Sequence, residues 1–482
     1  MKLRLPRNKT KIVCTIGPAS RSESVLKKLI KSGMSVARLN LSHGNLEDHR
    51  EDIRRIRSVA RHLNCAIPIM IDLPGAKIRI GKLQREPLEL KRGDNVTLTS
   101  KNTSSMVSFI PVDYKRLSES VSKGSVIYLN DGFIQLRVQE MAVDRVRCKV
   151  IIGGQLLSHK GLNIPKAKIF RDVAKDKDHR LVDFGLKEGV NIFSASFVEG
   201  AEDILRVKDF ARKRGKPIYV VAKIERAEAV ENIEAIMAVA DAIMVARGDL
   251  GVQIPLEDVP AVQKKLIYQA NLLGRPVITA TQMLESMTES IRPTRAEVAD
   301  VANAILDGTD AVMLSEETAI GKYPVEAAKI MARIAAAIER QFRVRRVPAV
   351  LEDHFRRNAS DKNVTVEDVV SLNVLEGVRA LHARFILTPT YTGSTPRRIS
   401  RFKPDCWILS FSNNEKACEF LALSYGVYPF VMKNKLDGRH DAIMQFIKHS
   451  GLAKSGDRMI LTQGLFPGQS GGTDSLRIIT VN

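Results

Sequence analysis

Residues 219–251, YVVAKIERAEAVENIEAIMAVADAIMVARGDLG, bring four charged side chains into a spacing that can do chemistry. Two short apolar runs rich in β-branched residues, 219–222 and 242–246, read as buried strands, with a helical stretch of Ala, Glu, Ile and Met between them. Each run ends in charge: Lys223 and Glu225 after the first, Arg247 and Asp249 after the second. Side chains alternate faces along an extended chain, so within each pair the two residues can point the same way. Adjacent parallel strands would then present two cations and two carboxylates at one end. Neighbouring carboxylates suit a hard divalent cation such as Mg2+, and a lysine beside that metal suits a phosphate. The same residues also fit two exposed ion pairs at strand ends, which would do no chemistry.

These strands belong to a longer rhythm. Strand 11–16 (KIVCTI) ends in Gly17-Pro18; helix 22–31 follows, with Leu26, Leu29 and Ile30 on one face and Gly33 as its stop. Strand 35–39 carries Arg38, Asn40, Ser42 and His43 at its end, helix 46–63 comes next, and strand 67–71 ends in Asp72. Such βα units with short loops imply a parallel sheet. Between about 76 and 165 the pattern becomes short alternating segments (88–90, 95–98, 126–129, 133–138, 145–152) punctuated by glycine turns, the mark of an inserted all-β domain. The βα rhythm resumes near 171, with strands at 190–194, 218–222, 242–246, 276–280 and 310–314. The helices between include 259–273, 293–306 with Pro293 in its first turn, and 325–340. Three strands before the insertion and five after make eight βα units, the count of a TIM barrel of about 250 residues. An open doubly wound sheet fits the same alternation. A polar stretch at 341–363 reads as a linker. Beyond it a second α/β pattern runs through helix 366–381, strand 384–387, helix 396–402, strand 406–410, helix 414–423 and strands 458–462 and 475–481. The expected architecture is α/β. A TIM barrel occupies 1–75 and 171–343, an inserted β-barrel lid 76–170, and a C-terminal α/β domain 350–482.

Composition narrows the function classes. The 482 residues suffice for roughly three domains. No apolar run approaches the roughly 18–20 residues of a transmembrane helix, and charges interrupt the N-terminus before any signal-peptide core, which points to the cytoplasm. Five scattered cysteines without a C-x-x-C pair argue against a disulfide framework. The net charge of +21 suits either nucleic acid or anionic metabolites, but it is spread along the chain, and with aromatics at 5% a base-stacking platform is not expected.

In a TIM barrel the site lies at the C-terminal ends of the strands. Read in order, those ends carry Arg38, Asn40, Ser42 and His43; Asp72; Ser194 and Ser196; Lys223 and Glu225; Arg247, Gly248 and Asp249; Thr281 and Gln282; Ser315 and Glu317. The set is polar, holds both charge signs and comes from separate strands.

Several long segments resemble the pyruvate kinase family: TKIVCTIGPAS, VARLNLSHG, IDLPGAKIRIG, KGLNIP, VAKIE, IMVARGDLG, TATQMLESM, PTRAEVADVANAILDGTDAVMLSEETAIGKYP and GGTDSLRIITVN. The likeness runs from about residue 9 onward and implies the barrel, lid and C-domain organisation reached above. It implies transfer of the phosphoryl group of phosphoenolpyruvate to ADP, in glycolysis, with Mg2+ (Mn2+ able to substitute). By resemblance, Glu225 and Asp249 hold the metal, Lys223 neutralises the moving phosphoryl group and Arg38 grips it. The Gly248–Asp249 backbone seats the substrate carboxylate, and Thr281 stands near C3 of the enolate. Ser315 and Glu317 either order the water that brings the proton or form a capped turn. Asn40, Ser42, His43, Arg79 and Lys160 match the nucleotide side, with a solvated lysine of the β domain as the lesser alternative for Lys160. Asn40, Ser42, Asp72 and the Leu73 carbonyl match the family's K+ site. K+-dependent members carry Glu where this chain has Lys77; with Leu73 and Ile80, the chain resembles the K+-independent subset. An ammonium on a flexible stem can replace the ion. Glu316 departs from the family's usual Gly.

In the C domain, Thr390, Thr392, Gly393, Ser394 and Thr395 occupy the family's sugar-phosphate effector loop, with a helix expected from Pro396 and with Arg397 and Arg398 nearby; an ordinary Ser/Thr N-cap before proline is the alternative. A sugar phosphate or nucleotide effector and a homotetramer follow by the same resemblance, with no specific nucleic-acid or membrane partner. Two other readings remain at this point. A barrel doing carbon–carbon chemistry would use Glu225 and Asp249 but not the nucleotide residues or lid. A non-catalytic paralogue would be marked by loss of Lys223 or Arg38, and both are kept.

Overall fold

The barrel strands are short and buried on both faces, which is why they appear in the sequence as unbroken apolar runs rather than alternating ones. They are Lys11–Thr15, Val36–Asn40, Ile69–Leu73, Ile192–Ala195, Tyr219–Ile224, Ala242–Ala246, Val277–Ala280 and Ala311–Leu314. Each pairs in parallel with its neighbour, and the first pairs with the eighth, from Lys11 beside Ala311 to Cys14 beside Leu314. The sheet is therefore closed, and the open doubly wound alternative is excluded. This computed structural model describes residues 4–75, 78–100, 108–130, 132–165, 172–341, 347–357, 364–432, 440–464 and 472–481.

Period-two alternation splits the strands between two cores. Ile12, Cys14, Leu39, Ile71 and Phe193 face outward into the shell of helices. Val13, Met70, Ile192, Val221, Met244 and Met313 fill the interior, where Phe420 and Leu423 of the C domain join them. Phe420 stacks on Tyr219 with ring centroids 4.2 Å apart. Helix starts follow local capping chemistry. Ser22 accepts from Val25 N before Glu23–Ser32, and Asn45 accepts from Asp48 N before Leu46–His62. The helix expected from Pro293 starts later, as Arg295–Leu306. Thr294 is its N-cap in a capping box with Glu297, so Pro293 precedes the cap instead of lying in the first turn.

Between the third and fourth barrel strands lies a seven-stranded sheet in the order Ile78–Arg79, Gly161–Asn163, Val126–Leu129, Ile134–Ala142, Arg145–Ile152, Asn95–Thr99, Phe109–Pro111. A bridge from Ile80 to Val112 links its two edges, and it encloses its own core, including Leu98, Ile127, Leu136 and Val146. One lid turn rests on the barrel: a Cβ on Gly132 would lie 3.4 Å from Val252.

The C domain is a five-stranded sheet in the order Val427–Val431, Trp407–Ser412, Phe385–Pro389, Arg458–Gly464, Thr473–Thr480, with only the last strand antiparallel. Sequence patterning did not anticipate strand Val427–Val431 or helix His440–Ser450. The stretch expected as a linker contains helix Val347–Arg357, whose Leu351 and Phe355 are buried with Leu375 and Phe402.

Candidate active site

The C-terminal mouth of the barrel gathers a buried group of alternating charge. Asp72, near the end of the third strand, is its hub. Its Oδ2 takes an ion pair from Arg38 Nη2 and a longer contact from Lys223 Nζ at 3.4 Å; its Oδ1 accepts from Ser194 Oγ at 2.6 Å. Arg38 Nη1 donates to Thr15 Oγ1 at 2.8 Å, and Thr15 in turn donates to Leu314 O at 2.9 Å. Lys223 Nζ also reaches Ser196 Oγ at 2.7 Å and Glu225 Oε1 at 2.8 Å. Glu225 Oε2 accepts from Phe197 N at 2.7 Å. Arg38, Asp72, Lys223 and Glu225 are all buried.

The charges tune one another. Burial alone would raise the Asp72 carboxyl, but Arg38 and Lys223 together with the Ser194 and Arg38 hydrogen bonds hold it below the ordinary range. Burial would lower Lys223, yet Asp72 and Glu225 outweigh it and keep the ammonium charged above its usual value. Glu225 is raised, first by burial and further by Asp249, despite Lys223. Two carboxylates at this proximity repel each other, and a cation between them would remove that cost. Glu225 Oε1 contacts Lys223 without a directed hydrogen bond and is otherwise a partnerless buried oxygen among the described residues. Among the described residues no group of three His, Cys, Asp or Glu stands at metal-binding spacing. A metal here would thus take two protein carboxylates and complete its shell with oxygens of substrate and water, a habit of Mg2+.

One part of the sequence reading is corrected. Lys223 and Glu225 do face the same space, but Arg247 and Asp249 are not on an extended chain: helix Arg247–Gln253 starts directly after the sixth strand. Residues two apart on a helix point to different sides. Arg247 turns away to pair with Asp300 at 2.6 Å and to donate to Thr281 O at 2.8 Å, while Asp249 stays near enough to Glu225 to raise it. Gly248 N donates to Thr281 Oγ1 at 2.8 Å, so one of the two backbone groups expected to seat a carboxylate is engaged by the neighbouring threonine.

The other sequence candidates fall into three places. Ser315 and Glu317 come together at the end of the eighth strand: Ser315 N donates to Glu317 Oε2 at 2.6 Å and Leu284 N to Glu317 Oε1 at 3.1 Å. Burial raises the Glu317 carboxyl, while those backbone donors oppose it. Ser315 Oγ is buried without a hydrogen-bond partner among the described residues, and Glu316 is exposed. At the second strand, Asn40 lies beside Asp72 in register, its Oδ1 accepts from Ser42 N at 3.1 Å, and His43 is exposed. Leu73 closes the third strand. Arg79 and Lys160 lie in the lid, where Arg79 Nη1 donates to His159 O at 3.0 Å and Lys160 O accepts from Ile80 N at 3.0 Å. Lys77 lies outside the described residues.

In the C domain, Gly393 adopts φ 78°, donates to Thr390 Oγ1 at 3.0 Å, and precedes a helix that starts at Ser394, not Pro396. Thr395 Oγ1 bonds Thr473 Oγ1 at 2.5 Å. Of the two nearby arginines, Arg398 pairs with Asp368 at 2.5 Å, while Arg397 Nε donates to Gly393 O at 3.1 Å. Sequence reasoning gave no role to Thr15, Ser194, Ser196 or the Phe197 N–H. The Ser194-x-Ser196 alternation carried a usable signal, since it turns both hydroxyls to one face.

Comparison with known proteins agrees with this geometry. Residues 7–328 match the family model for the pyruvate kinase barrel domain, and residues 368–479 match that for the pyruvate kinase alpha/beta domain. The protein named pyruvate kinase of Thermococcus litoralis is 47% identical over 483 residues, covering 99% of this chain and 100% of its own length. Pyruvate kinase 2 of Synechocystis is 43% identical and pyruvate kinase of Geobacillus stearothermophilus 40%, each over 99% of this chain and over 80% and 81% of the relative, respectively. A closed eight-stranded barrel, a buried cluster of alternating charge at its mouth and full-length similarity to named phosphotransferases agree: the chain belongs to the pyruvate kinase family.

Proposed function

We infer that the chain transfers the phosphoryl group of phosphoenolpyruvate to ADP, giving pyruvate and ATP. The observation that carries this reading is the Arg38–Asp72–Lys223–Glu225 cluster, in which two cations and two carboxylates are buried and held in fixed relation. Phosphoryl transfer needs positioning and electrostatic stabilisation more than covalent participation by the protein. A terminal ADP oxygen attacks phosphorus, the bond from phosphorus to the enol oxygen breaks, and the enolate then takes a proton at C3. Arg38 and Lys223 hold the negative phosphoryl oxygens. Lys223 can release its long 3.4 Å contact to Asp72 to do so while keeping Ser196 and Glu225. The donor set of Glu225 and Asp249 fits Mg2+, which when bound supplies charge neutralisation for the phosphoryl and carboxylate oxygens. Thr281 stands on the side where the enolate is protonated. The partnerless Ser315 Oγ supports a water at that point, since a buried hydroxyl needs a partner. The lid supplies Arg79 and Lys160 to the nucleotide and excludes water on closing.

Lys77 replaces K+ in this reading, so activity needs Mg2+ but not K+. A metabolite effector binds the C-domain loop through Thr390, Thr392, Gly393, Ser394 and Thr395. Replacing Thr392 and Ser394 with Ala would abolish its effect; an unchanged response would remove the effector site. The chain acts in the cytoplasm, and among the described residues no helix is long and apolar enough to cross a membrane. It assembles as a homotetramer by its likeness to the family alone, and sedimentation would decide it.

The test is pyruvate formation from phosphoenolpyruvate and ADP with Mg2+ in potassium-free buffer, then with K+ added. Equal rates are expected. Activity only with K+ would keep the reaction and remove the Lys77 role; no activity in either would remove the reaction.

A further inference from the structure

Thr281 and Gln282 both hold left-handed backbone, with φ 67° and 53°. A β-branched residue is strained there, and such a conformation persists only where its surroundings over-determine it. Arg247 supplies those surroundings. Its side chain is 10% exposed, and its Nη2 donates to Thr281 O at 2.8 Å and to Gln282 O at 3.3 Å. Nη1 is held in turn by both Asp300 oxygens, at 2.6 and 2.7 Å, from helix Arg295–Leu306. The next residue, Gly248, donates its N–H to Thr281 Oγ1. Carbonyl and hydroxyl of Thr281 are thus tied to consecutive residues that follow the sixth strand. Both terminal nitrogens of Arg247 are engaged and Nε is buried without a partner among the described residues, so this cation is not presented to a substrate anion.

We propose that Arg247, braced by Asp300, is the positioning residue for Thr281: it locks the left-handed turn and so fixes where the threonine hydroxyl stands during protonation of the enolate. The proposal rests on the reaction inferred above. Lysine cannot take over, because one ammonium does not reproduce a planar fork that spans a carboxylate and two carbonyls.

The experiment compares wild type, Arg247→Lys, Thr281→Ala, the double variant and Asp300→Asn in three assays. These are turnover, enzyme-catalysed deuterium uptake at the pyruvate methyl group in heavy water with Mg2+, and amide exchange over residues 281–284. Displacement of a positioned group by about an ångström costs up to about 100-fold, so Arg247→Lys should lower kcat roughly 10- to 100-fold with KM for phosphoenolpyruvate nearly unchanged. Methyl exchange should fall in parallel, amide exchange in the turn should quicken, and the substitution should add little once Thr281 is Ala. Multiplicative losses in the double variant, a loss confined to KM, or unchanged amide protection would overturn the proposal. If Arg247→Lys does not fold, Asp300→Asn keeps the guanidinium and carries the same assays. If wild type turns over no phosphoenolpyruvate, the reaction falls, and amide exchange alone still decides whether Arg247 holds the turn.

Discussion

Lys223 keeps a full positive charge where water hardly reaches, and three neighbours make that possible: Asp72, Glu225 and the Ser196 hydroxyl. Each fixes the ammonium before substrate arrives, so little reorganisation remains for the reaction itself. Lys223→Met should lower kcat by about 10²–10³, with a smaller effect on KM, measured by steady-state kinetics. Asp72→Asn tests the hub. It leaves Arg38 and Lys223 without their shared counter-charge, and breaking a buried pair costs about 3–5 kcal/mol, measurable by denaturant unfolding. The pH dependence has a definite sign. The folded Asp72 carboxyl is depressed below its ordinary 3.8, so its contribution is present above that value and is lost as pH falls through the lower folded value. The gap between wild type and Asp72→Asn should therefore be widest above pH 3.8 and shrink in acid. Equal gaps at all pH would show that Asp72 is not ionised in the fold.

Strand ends and the turns after them decide which of these residues meet. Gly75 follows the third strand with φ 61°, and a Cβ there would lie 2.7 Å from the Ser196 carbonyl oxygen. Gly75→Ala should push the Ser196 segment away from Lys223 and lower kcat roughly tenfold or more without touching substrate; unchanged kinetics would show that the segment yields elsewhere. The alternation of strands and helices was readable from the sequence because the barrel strands are short, apolar and regularly spaced. Period-two spacing was enough to bring Lys223 and Glu225 together. It failed one strand later, because nothing in ARGDLG shows that the chain coils at Arg247 and sends that side chain to Asp300, a partner more than fifty residues away. The strand Val427–Val431 was hidden by Pro429, which an edge strand tolerates and a central one does not. The helix Val347–Arg357 was hidden by its many charges, although Leu351 and Phe355 stand four apart on one face. Bonds such as Arg38 to Thr15 join separate strands, so they appear only once the barrel closes.

At the scale of the molecule, barrel and C domain are joined through buried polar groups. Asp310, just before the eighth strand, takes Lys403 Nζ at 2.9 Å and Tyr425 N at 2.9 Å, while Lys11 Nζ donates to Val427 O at 2.6 Å and lies 5.0 Å from the Trp407 ring. Burial pushes Lys11 down to about 7, against Glu339 and Asp310. A lysine whose folded value lies below its unfolded 10.5 costs stability at low pH, and that cost fades as pH rises from about 7 to 10.5. Lys11→Met should be the more stable protein at pH 7 by thermal unfolding, with its advantage vanishing toward pH 10.5. Emission from Trp407, the single tryptophan, should titrate near pH 7 in wild type and not in the variant. The floor of the barrel has a different consequence. Phe420 and Leu423 stopper the interior from below, yet they are made only after the last barrel strand, the helix Val366–Leu381 and two strands of the C domain. On the ribosome the barrel must therefore wait, its underside open, until a much later stretch of chain emerges to seal it. Birth order thus makes the last domain a condition for finishing the first, and cutting the gene between them should leave a barrel that aggregates for want of its stopper.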